Sequence, residues 1–216
     1  MALSVLLVLF AYLLGSVPWG LVIAKNACGI DPRFAGSHSI GATNVSRLCG
    51  FGWGVATLLC DLLKGALPVW LAIHCGLSSF FVSVVAFAAV LGHVFPCFLQ
   101  FKGGKAVATS IGVFLPLAFL PLLAACLLCL LLIWLSGFVS LGSLTLVSSL
   151  PLFLFFSDQN EWLGLAFCLA ALVFYRHREN IARLHQGTEK SWIKSRHKAQ
   201  EDSGNGNDVS DNNTMH

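Results

Sequence analysis

The segment Gly92-His-Val-Phe-Pro-Cys-Phe-Leu-Gln-Phe-Lys-Gly-Gly-Lys-Ala-Val-Ala-Thr109 decides how this chain is arranged. An apolar run ends at Pro96, two lysines flank two glycines, and a second apolar run begins at once. Two spanning segments joined by a short basic turn fit this pattern. Adjacent glycines also let backbone N–H groups approach a ligand closely, and the lysines add charge without a fixed geometry. The segment therefore reads either as a phosphate site at a membrane surface or, more plainly, as a tight turn.

The surrounding composition is that of an all-α integral membrane protein. Hydrophobic residues make up 56% and charged residues 11%, about half the charged share of soluble domains. A net charge of +3 does not describe a nucleic-acid binder. Apolar segments fall near 3–24, 51–74, 79–101, 105–117, 119–137, 139–157 and 160–176, which predicts seven transmembrane helices. The first lacks the basic start of a secretory signal, since the first lysine is Lys25, and reads as a retained helix with its N-terminus outside.

Seven crossings put 25–50, 102–105 and 177–216 on one face. That face carries Lys25, Arg33, Arg47, Lys102, Lys105, Arg178 and Arg183, whereas the opposite loops hold Asp158 and Glu161 and no Lys or Arg. The positive-inside rule makes the basic face and the C-terminus cytoplasmic. Lys64 alone stays within a span, three residues after Asp61, so the two share a helical face and can pair in a packing or pathway-lining role. Residues 1–200 read as one membrane domain and 201–216 as a disordered polar tail. The eight cysteines suggest neither a disulfide framework nor a metal site, because Cys60, Cys75, Cys126, Cys129 and Cys168 lie in or at the ends of apolar runs.

Three segments of the basic face carry chemistry. In the first, Gly36 and Gly41 bracket Ser37, His38 and Ser39, and Thr43, Asn44 and Arg47 follow. Short donors and one arginine can surround a phosphate, and Asn44 and Arg47 lie one helical turn apart. The plainer reading is a surface loop that caps a helix. The second segment is the Lys102–Lys105 turn. In the third, His177, Asn180 and Arg183 share one face of a helix just past a span, which also suits an interfacial helix near anionic headgroups. Glu189 can fix that segment by pairing with an arginine.

Familiar catalytic patterns are absent. No G-x-S-x-G elbow occurs, and Gly104-Lys105 lacks the Walker pattern because Leu99 and Ala106 occupy its other positions. The His-x4-Asp at His197 and Asp202 lies in the polar tail and reads as chance. Any reaction must rest on phosphate binding, hydroxyls and one histidine, with no metal or cofactor.

Five stretches in order resemble the bacterial acyl-phosphate:glycerol-3-phosphate acyltransferases (the PlsY family) over residues 11–190. They are Gly15-Ser-Val-Pro-Trp-Gly20, the Gly36-to-Arg47 loop, Asp61-Leu-Leu-Lys-Gly65, the Gly92-to-Thr109 segment, and His177-Arg-Glu-Asn-Ile-Ala-Arg183 with Gly187-Thr-Glu189. The resemblance implies acyl transfer from acyl phosphate to the 1-hydroxyl of glycerol 3-phosphate, giving lysophosphatidic acid at a bacterial inner membrane. It makes Ser37, Arg47, His177 and Asn180 the active-site set. Gly103, Gly104 and Lys105 become a glycerol-phosphate cradle with Lys102 close by, and Glu189 a structural partner. Two departures stand out. His38-Ser39 replaces the family's Gly-Asn, and Ala106 replaces the last glycine of Gly-Gly-Lys-Gly.

Under this reading the hydroxyl attacks the acyl carbonyl directly while Ser37 and Asn180 orient the substrates. His177 accepts the proton or positions the base, and the acyl chain lies in a groove between spans. An acyl-serine on Ser37 is the other route. The competing functions are a transporter for a phosphorylated small molecule, suited to Asp61 and Lys64 inside the membrane, and a structural membrane subunit.

Overall fold

Helix is the economical structure for so apolar a chain, because each backbone N–H and C=O is satisfied within its own segment. The computed structural model describes residues 1–192. The polar tail at 201–216 and the His197/Asp202 pair lie outside the described residues.

Helices α1 (Ala2–Ser16) and α2 (Trp19–Cys28) form one broken rod. Val17 turns extended before Pro18, since a residue preceding proline is driven out of the helical region. A short helix α3 (Ala42–Cys49) follows the long loop, then α4 (Phe51–His74) and α5 (Ser79–Val94). The remaining helices are α6 (Val107–Phe114), α7 (Phe119–Ser136), α8 (Val139–Phe156), α9 (Leu163–Arg176) and α10 (Arg178–His185).

Five helices among the described residues are long and apolar enough to cross a membrane: Ala2–Cys28, Phe51–His74, Ser79–Leu99, Phe119–Ser136 and Val139–Phe156. The two other predicted spans are shorter. With 8 and 14 residues, α6 and α9 reach about 12 and 21 Å at 1.5 Å per residue. They sit within the bundle, with Val113, Phe114, Leu169 and Val173 buried.

The core lies along α5, whose Val85, Ala86, Ala89 and Val90 are fully covered. α1 packs along α5, α4 along α6, and α7 along α8. Glycine makes the first contact possible: a Cβ on Gly92 would overlap the Tyr12 carbonyl, and one on Gly15 the Ala89 carbonyl. α7 is the outermost rod, with Leu120, Leu127, Leu131 and Leu135 exposed, as befits a helix facing lipid.

The two ends of the bundle differ. At one, Lys105 reaches Asn180, Ser140 reaches Glu189, and the Trp192 amide donates to Gly137, so the ends of α5, α7 and α9 meet there. At the other, the Ser79 hydroxyl donates to Glu161 at 2.7 Å.

The sequence pairs no cysteines, yet folding sets Cys28 and Cys49 side by side, with their Cα atoms 5.8 Å apart. They end α2 and α3, so folding brings together residues 21 apart in sequence that lie outside the apolar interiors.

Gly92→Leu should therefore destabilise the protein by about 1–3 kcal/mol through overpacking. The test is thermal unfolding of purified protein in detergent. A midpoint equal to wild type would mean that α1 and α5 do not approach so closely.

Candidate active site

The loop after α2 is built around one amide. Asn44 is 1% exposed, and its Oδ1 accepts the Ser37 N–H at 2.8 Å. Its Nδ2 donates to the carbonyls of Ser39 at 2.8 Å and of Pro32 and Ala35 at 3.1 Å. Sequence spacing pointed Asn44 at a phosphate. Its polar atoms are instead spent on the loop, so it fixes the turn that presents Ser37. Gly36 has φ +66°, and a Cβ there would overlap Asn44 Oδ1. The Ser39 hydroxyl is also engaged, accepting the Gly41 N–H at 3.2 Å. An Asp31–Arg33 pair at 2.7 Å, with Lys25 at 3.3 Å, holds the loop's start.

Arg47 follows one turn after Asn44 on α3. Its Nη2 donates to the Lys190 carbonyl at 3.2 Å, whereas its buried Nε has no hydrogen-bond partner among the described residues. A buried donor without an acceptor is costly, so this edge of the guanidinium suits an anion.

In the basic turn, only Lys105 lines the cavity described below; Lys102 is exposed and lies off it. The Gly103 and Gly104 amides donate to Val94 at 3.0 Å and His93 at 3.1 Å. Their carbonyls accept from Arg176, at 2.7 Å from Nη2 and 3.1 Å from Nε. These glycines thus shape the turn, and their amide hydrogens point into the protein. Their smallness has a packing cause: a Cβ on Gly103 would overlap the His93 carbonyl, and one on Gly104 the His93 ring.

From Lys105 a polar chain runs through the site. Nζ donates to Asn180 Oδ1 at 2.6 Å, and Asn180 Nδ2 donates to Glu189 Oε1 at 2.7 Å. Ser140 donates to the same carboxylate oxygen, and Arg183 Nε to Oε2, both at 2.7 Å. Burial works to raise the Glu189 pKa, but hydrogen bonds from Asn180, Arg183 and Ser140 outweigh it and hold the carboxyl below its usual range. Burial pushes Lys105 down to about 8, opposed by Glu189 and aided by Arg183.

His177 is 2% exposed, and its Nδ1–H donates to the Val173 carbonyl at 2.8 Å. A carbonyl can only accept, so this bond fixes the tautomer and leaves the Nε2 lone pair. Burial is the main cause that lowers its pKa to about 4; the Val173 carbonyl opposes it and the Lys105 cation adds to it.

These groups close around one cavity of about 680 Å³. Ser37, Arg47, Lys105, His177 and Asn180 line its polar end, and Val55, Leu58, Ile111, Leu130, Ile133 and Leu146 its apolar flank. Ser140 also lines it and was missed in the sequence, where it sits in an apolar run. Its one sign there is Ser143, three residues on along the same helical face. Both departures noted in the sequence adopt left-handed backbone, His38 at φ 54° and Ala106 at φ 67°.

The matching family model describes glycerol-3-phosphate acyltransferase and covers residues 5–187. A glycerol-3-phosphate acyltransferase of Desulfovibrio desulfuricans is 66% identical over 196 residues, 91% of this chain and 88% of that protein. The fold matches the crystal structure of PlsY (YgiH), an integral membrane glycerol 3-phosphate acyltransferase. Its glycerol 3-phosphate form gives a TM-score of 0.84 at 43% identity, covering 87% of this chain and 94% of the other. Its lysophosphatidic acid form gives 0.83 at 41%, covering 89% and 97%.

Between pH 6.5 and about 4, His177 takes up a proton in the unfolded chain but not in the folded one. Its contribution to stability is therefore present above that window and is lost as pH falls through it. Thermal unfolding from pH 7 to 4 should show this decline, and His177→Asn should flatten it. An unchanged slope in the variant would assign the acid sensitivity elsewhere.

Proposed function

Because the chain belongs to the glycerol-3-phosphate acyltransferase family, we propose that this cavity transfers a fatty acyl group from acyl phosphate to the 1-hydroxyl of sn-glycerol 3-phosphate, yielding lysophosphatidic acid. The observation that carries the reading is the cavity's division into a cationic polar end and an apolar flank between helices. Acyl phosphate is a mixed anhydride whose phosphate leaves readily, so the chemistry calls for neither a redox cofactor nor a metal. What must be overcome is the repulsion between two phosphate-bearing substrates and the entropy of bringing them together.

Arg47 and Lys105 hold the phosphates. Gly103 and Gly104 contribute by setting the turn that aims Lys105, Lys102 by adding surface charge, and Asn44 by ordering the loop. Ser37 and Asn180 orient the substrates, and Glu189 keeps Asn180 in register. The glycerol oxygen attacks the acyl carbon, the new ester bond forms, and the acyl–phosphate bond breaks. His177 accepts the hydroxyl proton at Nε2 or orients it toward the donor's own phosphate, which leaves with it. The acyl chain lies along Val55, Leu58, Leu130 and Ile133.

The membrane arrangement belongs to the same proposal: seven crossings by one domain of residues 1–200, N-terminus outside, active site and C-terminus on the cytoplasmic face of a bacterial inner membrane. α5, α7 and α9 all end beside the cavity, which supports α6 as a short buried crossing between α5 and α7. Lysines and arginines gathered at that end support the orientation. The comparisons do not favour a transporter.

Purified protein in liposomes should form lysophosphatidate from labelled glycerol 3-phosphate with palmitoyl phosphate and not with palmitoyl-CoA. Lys105→Met should lower kcat/KM by about 100-fold or more. Because the Lys105 cation is lost above about pH 8, activity should fall there and Lys105→Arg should carry it to higher pH. Label accumulating in the vesicles without product would favour transport. Acyl-protein trapped with donor alone would replace direct transfer by an acyl-serine route.

Orientation is tested with variants that retain a single exposed cysteine, Cys75 after α4 or Cys97 after α5. An impermeant maleimide added to intact spheroplasts should label Cys75 and spare Cys97. The reverse result would invert the topology.

A further inference from the structure

Asp61, Lys64 and His93 form a cluster inside the bundle, only 2%, 3% and 4% exposed, to which the transfer step assigns no role although Asp61 and His93 reach the wall of the same cavity. Lys64 Nζ lies 2.8 Å from Asp61 Oδ1 and donates to the Val17 carbonyl at 2.9 Å. His93 Nδ1 faces the same carboxylate oxygen at 3.6 Å. The cluster thereby ties the break between α1 and α2 to α4 and α5. Ionisable groups buried at such depth are expensive, and inside a membrane each is a functional candidate by default.

His93 continues the connection to the active site. Its carbonyl accepts the Gly104 N–H at 3.1 Å, and its ring lies so close to Gly104 that a Cβ there would overlap Nε2. Lys105, next in the chain, carries the cation that enters the cavity. We propose that His93 is a positioning residue for the acceptor substrate: braced by Asp61 and Lys64, its imidazole sets the height of the Gly103–Gly104 turn and so the reach of Lys105. This rests on the reading that Lys105 binds glycerol 3-phosphate. It assigns His93 an effect on acceptor binding, with a smaller one on turnover.

The decisive experiment is a double-mutant cycle between His93→Ala and Gly104→Ala in the full chain in detergent, read by equilibrium binding of labelled glycerol 3-phosphate and by turnover with acyl phosphate. Each single variant should weaken binding on the order of 10-fold, Gly104→Ala by forcing a methyl into the ring and His93→Ala by releasing the turn. The double variant should bind no more weakly than His93→Ala alone, because the removed ring leaves room for the methyl. His93→Asn, which keeps a polar group in less volume, repeats the cycle if His93→Ala does not accumulate.

A merely structural role would lower the unfolding temperature and leave binding per folded molecule unchanged, which overturns the proposal. So would losses that multiply in the double variant. Wild-type protein that binds glycerol 3-phosphate without making lysophosphatidate would sink the proposed reaction while the binding cycle still judged His93. Wild-type protein that binds none would sink both.

Discussion

The Glu189 carboxylate is the contact on which the site depends. It receives Asn180, Ser140 and Arg183, and Asn180 in turn holds Lys105. Four pieces of chain, the basic turn, α8, α10 and the segment after it, meet on one acid. Hydrogen bonds to a charged group are about twice as strong as neutral ones, and partial burial strengthens them further. Loss of the acid would leave Arg183 without its ion pair and free Asn180 to rotate, so Lys105 would lose both its anchor and its direction. An acid that touches no substrate can therefore be as necessary as the residues that do.

The same low-dielectric setting explains how the polar end divides its labour. A cation half-buried beside other cations is easier to deprotonate, which is why Lys105 sits near 8. Its charge is then available to a phosphate at neutral pH with little hydration to strip away. Arg47, which stays charged through any physiological range, supplies the fixed planar donor, and its Nε, without a partner among the described residues, points to the same use. His177 goes the other way. Burial keeps it neutral, and the Val173 carbonyl fixes which nitrogen is the acceptor. One environment thus yields two cations for binding and one neutral base for the proton.

Much of this was legible in the sequence because hydropathy and charge act locally. Apolar runs located the helices, and basic residues located the end of the bundle where the cavity lies. The Asp61–Lys64 pair followed from helical spacing alone. What stayed hidden depends on approach between distant segments. Ser140 looks like any serine in an apolar helix until Glu189 is folded against it, and Cys28 and Cys49 look unrelated until α2 and α3 come together. Nothing in the sequence singles out His93, although its ring decides what can stand at Gly104. Asn44 and Arg47 do lie one turn apart, yet their hydrogen bonds give them different tasks. α6 and α9 are shorter than their apolar runs because a turn at Leu115–Leu117 and a 3-10 helix at Asn160–Trp162 take up part of each.

The two departures from the family's glycines show how such positions tolerate change. Left-handed backbone costs an ordinary residue roughly 1–2 kcal/mol, so glycine is the inexpensive choice at residues 38 and 106. Ala106 offsets part of that cost: it is 1% exposed and belongs to the main core, where a buried methyl contributes about 0.8 kcal/mol. His38 is exposed and has no such burial, but its Nδ1–H donates to the Arg33 carbonyl at 3.2 Å, tying the ring back to the loop. Neither exchange moves Ser37 or Lys105 off the cavity. The backbone shape is held from outside these two residues, by Asn44 in the loop and by His93 and Arg176 at the turn. A conformation enforced by its neighbours can keep its geometry when the glycine that made it easy is gone.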